Sequence, residues 1–505
     1  MRRRILFLTS MVLSFLIIYT NQCSAKKLNA GFNFATFYSP EDGTYLETYL
    51  GVRGNSVVFE KQENGMFRGA LHITMIFRQD SVIKAFRKYE LWSPEQPDTT
   101  SSFFDFIDQQ RISLPVGVYE LELSINDRFF PDKKFSYKIP VEVFFDKNQV
   151  IVSGIQMLES YKPSAAPSVI TKNGLDLEPR VTNYYPQSTS KLRFYSEIYN
   201  TDTVLGSNEK LMVSWYIQPY ESGKKLDEYS RFKIYDTKPV QPLLAEFDLT
   251  NLPTGNYNLA IEVRDKSNKI VGYNNLFFQR NNPAAAFNME SYAGQGTEKI
   301  LFGTTNNADT LRNWVLSLRP IATLSEKVFI DNQSSVADPV ILKRYLSHFW
   351  EERNEIDPEG AWLTYLNEVK KVDKLFGNKF RRGYDTDRGR VYLQYGPPNS
   401  ITDRPFDAGD SQMTNNKNRM TGQDGGVVPY QIWHYYVIKN QRNKKFVFYN
   451  PHLAGDEYSL IHSDAQGEFY NSQWQSQLKR IQLHDVDQGQ DGFDGQSGRY
   501  YNDPF

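Results

Sequence analysis

The chain has 505 residues, enough at about 100 to 200 per domain for three or four domains, and its 40 % hydrophobic content supplies each with a core. Lys plus Arg at 58 against Asp plus Glu at 59 leave a net charge of −1, so charge balance argues for neither a nucleic-acid partner nor an acidic solvating tail. The 14 % aromatic content, with 31 Gly and 24 Pro for turns, predicts a β-rich chain and excludes collagen-like or low-complexity character.

Residues 1–25 read as a secretory signal peptide. Arg2, Arg3 and Arg4 form a cationic start, Ile5 to Tyr19 an apolar run, and Cys23-Ser24-Ala25 a small-residue cleavage site. The run falls short of the roughly 20 apolar residues that span a bilayer, so export with cleavage after Ala25 is the expectation and lipidation of Cys23 the alternative. Cys23 is the only cysteine. Once cleaved, the chain would hold none, which excludes disulfides, a cysteine nucleophile and thiolate metal sites. No later segment reads as a membrane span, so a protein peripheral to the membrane is expected.

Two stretches share one pattern. Leu114-Pro115-Val116-Gly117-Val118-Tyr119-Glu120-Leu121 and Leu252-Pro253-Thr254-Gly255-Asn256-Tyr257-Asn258-Leu259 each place a Pro/Gly turn before a strand of period two, which ends at Asp127 and Asp265. A second echo pairs Tyr45-Leu46-Glu47-Thr48-Tyr49 with Tyr195-Ser196-Glu197-Ile198-Tyr199. Further strand-like runs lie at Ala70–Phe77, Tyr137–Phe145, Lys210–Ile217 and Lys269–Phe278. The pattern predicts two tandem antiparallel β-sandwiches, immunoglobulin-like or transthyretin-like, over residues 28–155 and 180–286. Residues 156–179, with Pro163, Ala165, Ala166, Pro167 and Pro179, read as a stiff linker. The repeated Tyr and Leu residues are expected as core.

Beyond this point the period changes to that of helices. Leu311, Trp314, Val315 and Leu318 recur at helical spacing within a connector, residues 287–337. Asp338-Pro339 caps a helix running to about Arg353, and Pro358 opens another striped by Trp362, Tyr365, Val369, Val372 and Phe376. Together with the apolar runs that follow, these predict a mixed α/β domain over residues 338–487 and a flexible tail over 488–505. The fold class expected is thus multidomain and mainly β.

Within the C-terminal domain stands Gly383-Tyr384-Asp385-Thr386-Asp387-Arg388-Gly389-Arg390, followed by an apolar run read as a strand and by Gly396-Pro397-Pro398. Here the chain resembles the GWxTD-domain family, exported proteins of Bacteroidota-type bacteria. The upstream Phe349-Trp350-Glu351-Glu352-Arg353 and the later Gln431-Ile432-Trp433-His434-Tyr435 and Leu460-Ile461-His462-Ser463 share in the resemblance, with Tyr384 standing where the signature has Trp. The resemblance implies an exported envelope protein and brings no reaction or cofactor with it. Physically the motif reads as a capped turn: Thr386 and Asp387 bond backbone N–H groups, Gly383 and Gly389 permit unusual dihedrals, and Arg388 and Arg390 pair with acids. Its partner-binding alternative has Asp387, Arg388, Arg390 and Trp433 lining a groove for a peptide or another subunit.

Standard catalytic signatures are absent from the sequence, and neither a cofactor nor a metal is expected. His348, His434, His452, His462 and His484 are too scattered to suggest a metal site and read as hydrogen-bonded structural residues. Asp403, Asp407 and Asp410 fall in a polar loop, and Asp485, Asp487, Asp491 and Asp494 lack the Gly and closing Glu of a calcium loop. The expected function is a non-enzymatic scaffold or adaptor in an envelope assembly, periplasmic or outer-membrane-associated, with envelope or outer-membrane proteins as partners. Its alternative is a hydrolase or carbohydrate-active enzyme with a site in the C-terminal domain.

Overall fold

The computed structural model describes residues 28–99, 103–131, 134–283, 285, 307–335, 337–404, 428–439, 441–451, 457–471 and 473–480. The expected signal peptide and tail, Asp407 and Asp410 of the polar loop, the acidic run from Asp485, and His452 and His484 lie outside the described residues.

The first sandwich holds eight strands: β1 (Ala30–Ser39), β2 (Gly43–Val52), β3 (Phe59–Lys61), β4 (Phe67–Gln79), β5 (Val82–Trp92), β6 (Phe106–Ser113), β7 (Gly117–Asp127) and β8 (Lys134–Val143). One sheet runs β1-β2-β6; the other runs β5-β4-β7-β8, with β3 added to the start of β4. Alternation decides which face is buried: Tyr119, Leu121, Leu123 and Ile125 of β7 turn inward to meet Leu46 and Leu50 of β2.

The second sandwich comprises β9 (Ile151–Val152), β10 (Gln156–Pro163), β11 (Thr171–Lys172), β12 (Leu175–Pro179), β13 (Tyr184–Tyr185), β14 (Lys191–Tyr199), β15 (Lys210–Pro219), β16 (Ser230–Asp236), β17 (Val240–Asp248), β18 (Gly255–Arg264) and β19 (Ile270–Arg280), with a short helix α1 (Thr201–Leu205). Its sheets run β11-β12-β10-β14-β17, with β9 also on β14, and β13-β19-β18-β15-β16. Strand order makes the internal repeat structural, since β14, β15, β16, β17, β18 and β19 take the places of β2, β4, β5, β6, β7 and β8. Each copy also closes the same corner: Tyr119 Oη donates to Pro115 O at 2.8 Å and Tyr257 Oη to Pro253 O at 3.0 Å, the tyrosine corner of immunoglobulin-like sandwiches. Tandem sandwiches and a mainly β chain are therefore the architecture.

Composition hid one feature. The stretch 156–179, read as a linker, supplies β10, β11 and β12, and residues before it, Val150, Val152 and Ile155, enter the second core. Met157 is buried in the second core and Leu158 and Leu177 in a separate cluster with Phe37 and Tyr49, while Pro163 and Pro179 sit where β10 and β12 end and forfeit no internal ladder bond.

In the C-terminal domain, α2 (Ala308–Ser317), α3 (Leu324–Gln333), α4 (Pro339–Glu351) and α5 (Pro358–Phe376) pack around Leu311, Val315, Leu346, Phe349, Trp350 and Trp362, so the described part of the stretch read as a connector shares this domain's core. Asp338 accepts from the Val340 and Ile341 N–H groups, as its place before Pro339 predicts. Helix α3 is set by a capping box between Thr323 and Glu326. Then come α6 (Asp387–Tyr395), a sheet β20-β21-β22-β23 (Ser400–Arg404, Tyr430–Ile438, Gln441–Tyr449, Ser459–Ser463) and α7 (Trp474–Arg480). The run Val391–Tyr395, read as a strand, is helical because Thr386 caps it and Val391 and Tyr395 fall one turn apart on the face that packs against the sheet.

Candidate functional site: a motif helix and two charged seams

The segment from Gly383 to Arg390 begins with a single helical turn, Gly383–Asp385, and passes through Thr386 into α6. Thr386 Oγ1 donates to Gly383 O at 2.7 Å and accepts from Gly389 N at 3.1 Å, satisfying groups that a helix start leaves open. Neither glycine is needed for an unusual dihedral. They are needed for space: a Cβ on Gly383 would stand 2.2 Å from Val372 O, and one on Gly389 would stand 1.9 Å from Gly383 O. The turn thus lies directly on α5, and Asp373 Oδ1 accepts from Gly383 N at 2.7 Å. Tyr384 fills the helical core, and burial pushes its hydroxyl up to about 12.

Polar side chains of the motif reach outward from α6 to other elements. Asp387 Oδ2 accepts from Leu460 N of β23 at 2.7 Å. Arg388 is buried, donates to Gln431 Oε1 at 3.4 Å and lies over the rings of Phe376 and Tyr458. Arg390 makes a two-pronged bond to Glu468, which also accepts from Tyr395 Oη at 2.9 Å. Trp433 is buried against Phe376 and Phe448. Trp433 and Arg388 therefore line no open groove. Gly396 ends the helix at φ 82°, a conformation that favours glycine, and Tyr435 Oη donates to its carbonyl at 2.8 Å before Pro397 and Pro398 lead into β20.

Beneath Glu468 the C-terminal domain meets the second sandwich. Gln441 Nε2 donates to Tyr220 Oη at 2.8 Å, Lys439 Nζ donates to Tyr220 O, and Tyr220 packs edge-on against Phe277. Much of Lys439 is exposed, but its ammonium is tucked over the Tyr220 ring, and desolvation there holds it at about 8. Burial raises Glu221 and lowers Lys327 in the same seam, each opposing the other's shift, while Asn256 Nδ2 donates to Glu221 Oε1 at 3.1 Å. These groups went unnoticed in the sequence because no local spacing joins Glu221, Lys327, Lys439 and Glu468.

A second charged seam joins the two sandwiches, and it is built from the Tyr-x-Glu-x-Tyr echo. Leu46 and Ile198 point into their cores, so Glu47 and Glu197 point out of them toward the joint. Glu47 is fully buried and takes Arg111 Nε at 2.7 Å, Lys172 Nζ at 2.8 Å and Tyr49 Oη at 2.8 Å. Glu197 accepts from both Tyr195 Oη and Tyr199 Oη. Lys172 sits 3.2 Å above the Phe37 ring, and its burial lowers its pKa against the pull of Glu47 and Glu197. Tyr38 N donates to Tyr199 Oη, and a main-chain bond from Gly154 N to Thr36 O also crosses the joint.

Of the histidines singled out in the sequence, His462 has a structural hydrogen bond. His462 is buried, its Nδ1 accepts from Asn471 N at 3.1 Å, and burial with the Lys445 charge holds it down at about 4. His434 stands against Tyr436, and His348 lies 3.9 Å from Glu352, which caps the end of its helix. Asp464 accepts from Lys445 N, and Asp403 sits exposed on β20. Among the described residues no group of three His, Cys, Asp or Glu is placed to hold a metal, and no helix is long and apolar enough to cross a membrane.

No protein-family model matches the chain, and no curated protein does. Among solved structures it is similar to a protein described as a β-galactosidase from Bacteroides fragilis, at 9 % identity and a TM-score of 0.18, over 50 % of this chain and 34 % of that one. It is also similar to a calcium-binding mutant of Bacteroides uniformis β-glucuronidase 2, at 7 % identity and a TM-score of 0.18, over 49 % and 31 %. The chain spans about a third of the length of these two proteins, and likeness at this level carries no argument about its activity.

Proposed function

We propose that the protein is a non-enzymatic, exported scaffold or adaptor subunit of a bacterial cell-envelope assembly, peripheral to the outer membrane and bound to other envelope proteins. The observation that carries this reading is how the motif spends its polar atoms: Thr386 on the start of α6, Asp387 on β23, and Arg390 on the Glu468 that borders the second sandwich. A segment that fixes the relation of helices, sheet and neighbouring domain builds a stiff composite surface, which suits a subunit that positions others. The signal-like residues 1–25 and the resemblance to GWxTD-domain proteins support the envelope as its place.

The test is a detergent-solubilised pull-down of the tagged native protein from cell envelopes, with co-purifying proteins identified by mass spectrometry. Stoichiometric recovery with outer-membrane proteins is the expected result. Recovery of the protein alone, with turnover of an envelope polymer abolished by Lys439→Met in a folded variant, would replace this reading with the hydrolase one. Lys439 is chosen for that control because its lowered pKa, in an interdomain seam that also holds Glu221, is what acid–base chemistry would use.

A further inference from the structure

Helix α5 buries Trp362, Tyr365, Val369 and Val372 and turns its opposite face to water. On that face Lys370 and Lys374 stand one turn apart, both exposed and without an ion pair among the described residues. Past the helix end, a tight turn is closed by Asn378 N donating to Arg381 O at 2.9 Å, and Asn378 Oδ1 accepts from the N–H groups of Phe380 and Arg381 at 2.8 Å each. The turn holds Phe380 with 92 % of its surface exposed, between Lys379 and Arg381, and Leu375, 55 % exposed, lies five positions earlier near the end of the helix. It is anchored at both sides, by Asn378 Nδ2 to Glu457 and by Gly383 N to Asp373.

Two properties of this corner need an explanation that folding does not supply. A hydrogen-bonded turn keeps a large aromatic out of every core, and cations gather around it in a chain whose overall charge is −1. Of the acids nearby, Glu368 is engaged with Lys371 and Asp373 with Arg382, while Arg381 donates to Asp385 O and Asn378 to Glu457. A protein partner would need a pocket shaped for one projecting ring. A bilayer interface needs none: it takes the ring among the acyl chains while lipid phosphates meet the cations around it.

We propose that the outer face of α5 and the turn Asn378–Arg381 dock on an anionic phospholipid surface, with Phe380 inserted and Lys370, Lys374, Lys379 and Arg381 set against the headgroup phosphates. The proposal goes beyond the scaffold reading and uses neither charged seam. Its test is flotation of the purified full chain with vesicles of phosphatidylcholine alone and of phosphatidylcholine mixed with phosphatidylglycerol, at low and high salt. The apolar run Ile5–Tyr19 is common to every variant, so comparison among variants removes its contribution.

Flotation is expected with the anionic vesicles at low salt, and each of Lys370→Ala, Lys374→Ala and Lys379→Ala should weaken partition about fivefold. Phe380→Ser should weaken it at either salt, while Phe232→Ser, at an exposed aromatic of the second sandwich, should not. No effect of these lysine and Phe380 changes, or lysine effects of equal size on neutral and anionic vesicles, would overturn the proposal. So would soluble polyglutamate that binds with the same lysine dependence and indifference to Phe380, an outcome that identifies the face as a site for an acidic macromolecule.

Discussion

Arg390 and Glu468, 78 positions apart, meet in two parallel hydrogen bonds, 2.8 Å from Nη1 to Oε1 and 2.7 Å from Nη2 to Oε2. The carboxylate is nearly sealed from water, at 6 % side-chain exposure, and Tyr395 adds a third bond. Such a pair is worth most when broken from one side, because the remaining charge is left buried. Glu468→Gln should therefore cost about 3 to 5 kcal/mol in urea unfolding, whereas Arg390→Met combined with Glu468→Leu should recover much of that loss. An additive double variant would show that the pair does not act as a unit.

The Lys172–Glu47 contact makes the corresponding prediction for the joint between the sandwiches. Lys172→Met removes an ammonium that faces Glu47 directly and Glu197 through the same buried space, and leaves the half-exposed Arg111 as the remaining cation bonded to Glu47. A loss of about 3 kcal/mol is expected, with faster proteolysis between the two sandwiches. Adding Glu47→Gln should restore part of it. Unchanged proteolysis in the single variant would mean that the bonds donated by Gly154 N and Tyr38 N hold the joint without Lys172.

At Gly389 the prediction is steric. A Cβ there meets a backbone carbonyl, which has no rotamer by which to move aside. Gly389→Ala should destabilise the C-terminal domain by about 3 kcal/mol or more, well beyond the roughly 1 kcal/mol typical of point substitutions. Gly396→Ala, where no atom lies within 4 Å of the added carbon, should cost only the strain of φ 82° and ψ −174°, about 1 to 3 kcal/mol. Thermal unfolding of the two variants separates a close-approach glycine from a conformational one.

What the sequence disclosed follows the range of the forces involved. Caps and periods are local, so Asp338-Pro339, the stripe from Trp362 to Val372 and the paired Pro/Gly–Tyr strands were all legible before any fold was known. The same locality misled at Val391–Tyr395, where an apolar run without its Thr386 cap resembles a strand, and at 156–179, where prolines at strand ends outweighed the buried Met157, Leu158 and Leu177. The seams were illegible for a different reason. Glu47 meets Lys172, and Tyr220 meets Gln441, only after sheets from distant segments have packed, and period two gave no sign that an outward Glu would face another domain.

His462 links burial to pH. Its folded pKa, near 4, lies below the ordinary value of 6.5, because burial and Lys445 disfavour the charged ring. An unfolded chain thus takes up this proton first as the pH falls. The stability that the neutral ring contributes is fully present above about pH 6.5 and is lost as the pH falls toward 4, a difference on the order of 3 kcal/mol. Protonation also ends the ability of Nδ1 to accept from Asn471 N, so the turn before α7 should loosen together with the ring. The measurement is urea unfolding of the wild type and His462→Gln between pH 7 and pH 4. The variant should be less stable at pH 7, and its stability should fall less steeply with acid; parallel pH curves for the two proteins would show that another group carries the acid sensitivity.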